Sequence, residues 1–114
     1  MELNEYQKKA LSTAGHSEKY KVIYPALGLG NEAGEVLGKV KKWLRGDDAN
    51  KADSGEMSSE RVEALKGELG DVLWYLAVLA HDLGLELDDV AEANVEKLQS
   101  RKARGVLKGD GDKR

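Results

Sequence analysis

Apolar residues recur at intervals of three and four along most of the 114-residue chain, and no segment sustains the period of two that is typical of strands. This pattern predicts an all-α protein. Four helices are expected, over about residues 2–14, 24–44, 58–83 and 86–104. The polar stretch 47–59 is predicted to be a loop. Residues 1–104 are therefore expected to form a single domain, followed by a flexible tail, 105–114.

Residue types that begin or end helices fall at these boundaries. Pro25 stands where proline is tolerated, in the first turn of the second helix. Ser58 or Ser59 offers the hydroxyl that caps the N-terminus of the third helix. Gly46 and Gly84 lie at the predicted ends of the second and third helices, where helix-breaking residues are expected. The local signals therefore agree with the hydrophobic pattern.

The third predicted helix contains the longest fully apolar run of the chain, VLWYLAVLA, residues 72–80. A helix that is apolar nearly all round is buried on several sides, and nine residues are too few to cross a bilayer. The run has more apolar surface than three short helices of one subunit would cover, which indicates an interface with a second copy. Because the N-terminal segment also lacks the apolar core of a signal peptide, we expect a cytoplasmic protein without a membrane partner.

Charge and cysteine content narrow the possible functions. The formal net charge at pH 7 is −3, which does not favour a nucleic-acid-binding surface. The chain has no cysteine, so disulfides and zinc–thiolate sites are excluded. A reducing compartment is compatible with this composition.

The second and third helices each carry two acidic residues at helical spacing, Glu32 and Glu35 in EAGEVLG, and Glu68 and Asp71 in ELGDVLW. Residues three apart share one face of a helix, and here that face borders the apolar stripe. Carboxylates near a core repel one another and lose hydration. Divalent cations offset both costs, because Mg²⁺ and Mn²⁺ prefer carboxylate oxygens. One such pair is common on solvated helices, but two pairs in the same setting favour a metal site.

Two glycines stand inside these acidic motifs, Gly34 and Gly70. Glycine destabilises a helix interior by about 1 kcal/mol relative to alanine. We therefore expect these two positions to be where the helix backbones approach each other closely. The apolar stripe of the second helix is predicted to consist of Leu29, Val36, Val40, Trp43 and Leu44.

The chemistry of the ligands selects the metal. The two histidines, His16 and His81, do not complete the Glu-x-x-His motif of four-helix di-iron proteins. Redox iron is therefore disfavoured. An all-oxygen site suits Mg²⁺, or alternatively Mn²⁺, and the usual work of these ions is phosphate chemistry.

The fourth helix carries Asn94, Lys97 and Arg101 on one face. Lysine and arginine at these positions can hold phosphate oxygens. The alternative is that both cations pair with acids at the C-terminal end of the helix, where positive charge is favourable. Lys39 and Lys42 continue down the carboxylate side of the second helix, and a solvated face is the simpler explanation for them.

Trp43 also lies on the carboxylate side of the second helix. Its ring is available to stack on a nucleobase, although packing in the core is the more common role of a tryptophan in an apolar stripe. Nothing in the sequence identifies a preferred base.

Over about residues 27–101 the chain resembles the MazG family of all-α nucleoside triphosphate pyrophosphohydrolases. The resemblance implies that the four acidic residues bind Mg²⁺ and that Glu32 or Glu35 orients or deprotonates the attacking water. It implies a reaction of NTP or dNTP with water to give a monophosphate and pyrophosphate, with a role in cleaning the nucleotide pool. The family commonly forms homodimers or dimers of dimers, so a four-helix bundle completed by dimerisation is expected. The motifs that carry the resemblance are Glu32-x-x-Glu35, Glu68-x-x-Asp71 and Asn94-x-x-Lys97-x-x-x-Arg101.

Two other interpretations stay open. The related phosphoribosyl-ATP pyrophosphohydrolases of histidine biosynthesis keep the fold and the metal but change the substrate. A helical oligomerisation module with structural or regulatory metal sites would not be an enzyme at all. The face formed by Asn94, Lys97 and Arg101 disfavours the module, because a scaffold does not need it.

Overall fold

The computed structural model describes residues 1–49 and 51–114, and the regular secondary structure in this part of the chain is entirely helical. The predicted all-α fold is confirmed. Residue 50, in the predicted loop 47–59, lies outside the described residues. The elements are α1 (Leu3–Leu11), α2 (Ile23–Arg45), α3 (Ser59–Asp82) and α4 (Leu87–Ala103), with short 3-10 turns at Glu18–Tyr20 and Lys51–Ser54.

The helix boundaries agree with the predicted ones to within one residue, except at the end of α1. Gly46 ends α2 with a left-handed φ of 93°, and the Ser58 hydroxyl accepts a hydrogen bond from the N–H of Arg61 at 3.1 Å. The end of α1 is three residues earlier than predicted. The N–H groups of Ser12 and Thr13 donate to carbonyls three residues back, and their hydroxyls donate to the same carbonyls. Such local bonds compete with the α-helical pattern.

Helices α2 and α3 pack against each other and run antiparallel. At the start of α2 the N–H of Val22 donates to the carboxylate of Asp82, in the last turn of α3, at 2.9 Å. Towards the other end of α2, Nζ of Lys39 lies 3.2 Å from Oε1 of Glu68. Between these contacts Gly28 faces the ring of Tyr75.

The close approach of α2 and α3 occurs at Gly28. A Cβ placed there would lie 2.1 Å from Cε1 of Tyr75, so only glycine leaves room for the ring. The prediction for Gly34 and Gly70 is wrong, because both are exposed and nothing lies within 4 Å of a Cβ at either position. The contacting face of α2 instead includes Gly28, Glu32 and Lys39, whereas Gly34 is turned outward.

The core lies where α1, α3 and the start of α4 meet. Gln7 of α1 is buried and ties these elements together, since its Nε2 donates to the carbonyls of Ala77 at 3.1 Å and Leu85 at 3.0 Å. Its Oε1 accepts a bond from the N–H of Leu87 at 3.1 Å. One side chain thereby satisfies backbone groups around the turn between α3 and α4. The core consists of Ala10, Ala77, Ala80 and Leu87, with Tyr6, Trp74 and Leu76 packed against it.

The apolar run 72–80 is partly covered within the chain. Ala77, Val78 and Ala80 are buried and the other residues of the run are partly buried. The single chain therefore leaves some surface of this run accessible, and dimerisation stays a prediction. Among the described residues, none of the helices has the length and apolar character that a membrane span requires.

The apolar stripe of α2 is shorter than predicted. Leu44 is 68% exposed, so its assignment to the stripe is wrong, and Leu27 and Leu37 are exposed to a similar degree. Leu44 lies beyond Trp43, where the chain turns away at Gly46 and leaves its outer side uncovered. The predicted members that are partly buried are Leu29, Val36, Val40 and Trp43.

The segment after α4 folds back along that helix. The guanidinium of Arg114 donates to the carbonyls of Val106 at 3.0 Å and Leu107 at 2.8 Å. Asp112 reaches Lys97 of α4, with 3.0 Å between its Oδ1 and Nζ of the lysine. The flexibility of this tail stays a prediction.

Candidate metal centre between α2 and α3

Three carboxylates from two helices converge in the groove between α2 and α3. Glu32 extends from α2, and Glu68 and Asp71 extend from α3. Each offers an oxygen within 4.8 Å of the others, in the part of the chain that the structure describes. Glu32 and Glu68 are partly buried and Asp71 is exposed, so the cluster opens to solvent on one side. We call these three residues the carboxylate cluster.

The electrostatics of the carboxylate cluster indicate an excess of negative charge. Loss of hydration raises the pKa of Glu32, and the charges of Asp71, Glu68 and Glu35 raise it further. Both effects disfavour the ionised form, and a cation beside the carboxylate would offset them. The donor set is all oxygen, which fits Mg²⁺ or Mn²⁺ better than a softer metal.

Glu35, the fourth predicted ligand, stands at the edge of the carboxylate cluster. Its side chain is exposed, and it is not among the residues whose oxygens lie within 4.8 Å of one another. Its charge nevertheless contributes to the raised pKa of Glu32. The roles predicted for Glu35, in metal binding and in catalysis, stay predictions.

Lys39 provides the cationic contact of the carboxylate cluster. Its Nζ lies 3.2 Å from Oε1 of Glu68, and the two side chains are 25% and 17% exposed. The sequence placed Lys39 on the carboxylate side of its helix but left a solvated face as the simpler explanation. The structure instead pairs it with a predicted metal ligand, which the spacing of seven residues from Glu32 could have indicated.

A tyrosine pair borders the carboxylate cluster on the other side. Tyr75 follows Asp71 by one turn, and its ring centroid lies 6.1 Å from that of Tyr24. A hydrogen bond with Tyr24, burial, and the charges of Tyr24, Glu32 and Asp71 raise the pKa of Tyr75 to about 12. The sequence places Tyr75 on the helix face of Glu68 and Asp71, but its position inside the apolar run gave it no predicted role in the site. Its spacing of four residues from Asp71 was the available signal.

Trp43 lies beyond Lys39 on α2 and is partly buried. Its Nε1 donates to the carbonyl of Glu56 at 2.6 Å, so the indole fastens the connection between α2 and α3. A second contact fixes the same connection, because the Arg61 guanidinium binds the Asp48 carboxylate with its Nη2 2.8 Å from Oδ1. That guanidinium also lowers the pKa of Asp48, through its hydrogen bonds and against the effect of burial. Base stacking by Trp43 stays a prediction.

The cationic side chains of the predicted phosphate-binding face of α4 are paired with an acidic residue of the same chain. Lys97 and Arg101 both contact the Asp112 carboxylate, at 3.0 and 3.3 Å, and Arg101 also donates to the Asp112 carbonyl. These contacts lower the pKa of Asp112, the bond from Lys97 most strongly. Asn94 is exposed. In the described residues, Lys97 and Arg101 form no ion pair with the carboxylate cluster, so the structure does not bring the two predicted halves of the site together.

The histidines lie away from the carboxylate cluster. Nε2 of His16 is 2.8 Å from Oδ2 of Asp82, at the opposite end of α3 from Glu68. Burial opposes ionisation of Asp82, but bonds with the Val22 N–H and with His16 outweigh it and lower the pKa of this carboxyl. His81 is exposed. This arrangement agrees with a site built from oxygen ligands.

Comparisons with known proteins agree with this geometry. Residues 25–106 match the MazG nucleotide pyrophosphohydrolase domain. The chain is 48% identical to the Gene 37 protein of Mycobacterium phage L5 over 91 residues, which are 80% of this chain and 75% of that protein. It is 39% identical to the uncharacterized protein YvdC of Bacillus subtilis (strain 168) over 71 residues, 61% of this chain and 65% of that protein. No solved structure matches significantly. Since the domain match covers most of the chain and includes both acidic motifs, the chain belongs to the MazG nucleotide pyrophosphohydrolase family.

Proposed function

We propose that the protein is a Mg²⁺-dependent nucleoside triphosphate pyrophosphohydrolase that acts in the cytoplasm. The convergence of Glu32, Glu68 and Asp71 between α2 and α3 carries the proposal, because it builds an all-oxygen cation site within the family's domain. In the proposed reaction, water attacks the α-phosphorus of an NTP or dNTP. A bond forms between the water oxygen and phosphorus, the bridging bond to the β-phosphate breaks, and pyrophosphate leaves with the electron pair.

The carboxylate cluster would hold the divalent ion, with Glu35 as a further ligand. The bound ion supplies polarisation of the phosphate oxygens and a lowered pKa for a bound water. Either Glu32 or Glu35 accepts the proton of the attacking water, since general bases must lie within hydrogen-bonding reach of the proton that they remove.

Asn94, Lys97 and Arg101 are proposed to contact the substrate phosphates. Their cationic groups are the type that stabilises charge on departing pyrophosphate. Within the chain Lys97 and Arg101 are engaged by Asp112. Contact with substrate therefore requires that Asp112 release them, or that they serve the carboxylate cluster of a second copy.

We propose that the protein is a homodimer or homotetramer. One reason is that the α4 cations could then serve the carboxylate cluster of a second copy, and another is the exposed apolar surface of α2 and α4. Leu27 and Leu37 of α2 and Val95 and Leu98 of α4 are exposed by 43–71% in the single chain. Apolar surface of this kind is typical of interfaces. Light scattering after size exclusion tests the assembly. A 12.5 kDa species at micromolar concentration would contradict it, and Leu37→Glu is expected to reduce a dimer to that mass.

The activity is tested on a panel of ribo- and deoxyribonucleoside triphosphates and phosphoribosyl-ATP, with Mg²⁺, with Mn²⁺ and with EDTA. Chromatography of the products is the decisive measurement. A monophosphate and pyrophosphate, formed only with metal, are the expected products. A nucleoside diphosphate and orthophosphate would mean that cleavage occurs between the β- and γ-phosphates, which would contradict the proposed reaction. No turnover on the whole panel would contradict the proposed function, and turnover of phosphoribosyl-ATP alone would correct its substrate.

A further inference from the structure

Lys39 occupies an unusual position for a surface lysine. It is partly buried against Glu68, a member of the carboxylate cluster, with 3.2 Å between Nζ and Oε1. It follows Glu32 by seven residues, so the two side chains leave α2 on nearly the same face, roughly 10 Å apart along the axis. Glu68 therefore lies between a second carboxylate, Glu32, and an ammonium group.

The carboxylate cluster and Lys39 together carry more negative than positive charge. Three ionised carboxylates carry three negative charges, and the Lys39 ammonium group that contacts Glu68 offsets one of them, which leaves a formal charge of −2. A divalent cation bound to the carboxylate cluster would compete with Lys39 for the Glu68 carboxylate, whose Oε1 the lysine now contacts. It would also repel the ammonium group, since like charges a few ångströms apart are destabilised in a partly buried site.

A lysine side chain can readily leave one negatively charged partner for another. Its charge sits at the end of a flexible four-carbon stem, and its three N–H donors rotate freely to new acceptors. When Glu68 becomes a metal ligand, Lys39 can turn to the phosphates of a substrate bound at the same ion, which carry more negative charge than the Glu35 carboxylate one turn earlier on α2.

We propose that Lys39 is a phosphate-binding residue that holds Glu68 while the carboxylate cluster carries no divalent cation and transfers to the substrate phosphates when it does. The proposal rests on the proposed function for the identity of the phosphates. Along α2, Lys39 lies on the opposite side of Glu32 from Gly28 and Tyr75. The pyrophosphate half of the substrate accordingly extends toward Lys39.

The test compares Lys39→Gln with Lys41→Gln, a matched control because Lys41 is an exposed lysine on the same helix. Electron paramagnetic resonance measures Mn²⁺ binding without phosphate. Lys39→Gln is expected to bind Mn²⁺ about two- to fivefold more tightly than the wild type, the size expected from removal of a competing, partly exposed ion pair. Calorimetry then measures pyrophosphate binding in the presence of saturating Mn²⁺. Here Lys39→Gln is expected to bind about tenfold more weakly, because a bond to a charged acceptor is lost.

The opposite signs of the two effects distinguish this role from a structural one. Lys39→Arg keeps the charge and is expected to restore pyrophosphate binding, whereas Lys41→Gln should change neither affinity. Unchanged or weaker Mn²⁺ binding by Lys39→Gln would overturn the proposal, and so would unchanged pyrophosphate binding. If both shifts occur but the wild type releases no pyrophosphate from any nucleotide, the role of Lys39 stands and the proposed function fails.

Discussion

The groove between α2 and α3 and the cationic face of α4 differ in how far the chain neutralises their charges. In the groove, three carboxylates from two helices converge, and among the described residues the ion pair that they form is the one between Glu68 and Lys39, so negative charge remains in excess. On α4, Lys97 and Arg101 share the carboxylate of Asp112, eleven residues after Arg101. The first region keeps negative charge that its neighbours in the chain do not neutralise, whereas the charges of the second are paired within the chain. Charged residues that look alike in a sequence can therefore differ in whether the fold pairs them or leaves them free to bind a ligand.

The largest effect is expected from a change in the carboxylate cluster. Asp71→Asn removes one charged ligand and should lower turnover by at least about 100-fold, as is common when one electrostatic contact to a reacting centre is lost. The matched control is Glu63→Gln, which neutralises an exposed carboxylate elsewhere on α3. Steady-state assays with Mg²⁺ measure the effect, and circular dichroism checks the fold. Near-normal turnover of Asp71→Asn would contradict a functional role for Asp71 in the site.

The next prediction concerns the packing that positions the carboxylates. Gly28→Ala places a methyl group 2.1 Å from the Tyr75 ring, which must move. We expect a loss of about 1–3 kcal/mol in the free energy of unfolding, the usual result of overpacking. Gly34→Ala is the control. It adds the same group where nothing lies within 4 Å, and is expected to stabilise the helix by about 0.5–1 kcal/mol.

Chemical denaturation measures both variants. Equal stabilities for Gly28→Ala and Gly34→Ala would contradict the close approach at residue 28. A large loss of stability in Gly34→Ala alone would indicate that a second copy packs on that side of α2.

The two glycine positions show how far sequence reasoning reaches. Periodicity located the four helices, and the i, i+3 spacing placed Glu68 and Asp71 on one face of their helix, because both follow from the helical repeat. The crossing point did not follow, since it depends on which side chain of α3 faces a given residue of α2. Gly28 matters because Tyr75 covers it, and no local pattern states that pairing. The contact between Arg101 and Asp112 could not be predicted from the sequence either, because it depends on how the chain folds back after α4.

A third prediction concerns the anchor that holds the start of α2 against the end of α3. Asp82 is almost buried, and its pKa is lowered from 3.8 in the folded protein by bonds with Val22 and His16 that outweigh burial. A lowered pKa means that the ionised carboxylate contributes stability above the ordinary pKa. That contribution is lost as the pH falls below 3.8, toward the pKa of the folded state.

Asp82→Asn keeps an oxygen acceptor for Val22 but removes the charge. We expect this variant to be less stable than the wild type by about 1 kcal/mol at neutral pH, the typical value of one hydrogen bond. The difference should shrink as the pH is lowered through the carboxyl range. Urea denaturation at a series of pH values measures it, with the exposed Asp89→Asn as control. A difference that does not change with pH would contradict the role of the ionised carboxylate.

The smallest effect is expected on α4, where the charges are already paired. Asp112→Asn keeps an oxygen acceptor but removes the negative charge that Lys97 and Arg101 share, and the Asp112 side chain is 79% exposed, so the fold should be unaffected. If these cations serve the substrate phosphates, their release should lower the KM for nucleotide by about two- to fivefold with kcat unchanged, the size of an exposed ion pair. Asp110→Asn, an exposed acid two residues earlier, should change neither parameter. A KM that does not fall in Asp112→Asn would mean that the α4 cations are purely structural, and the charge difference between the two regions would then also be a difference in function.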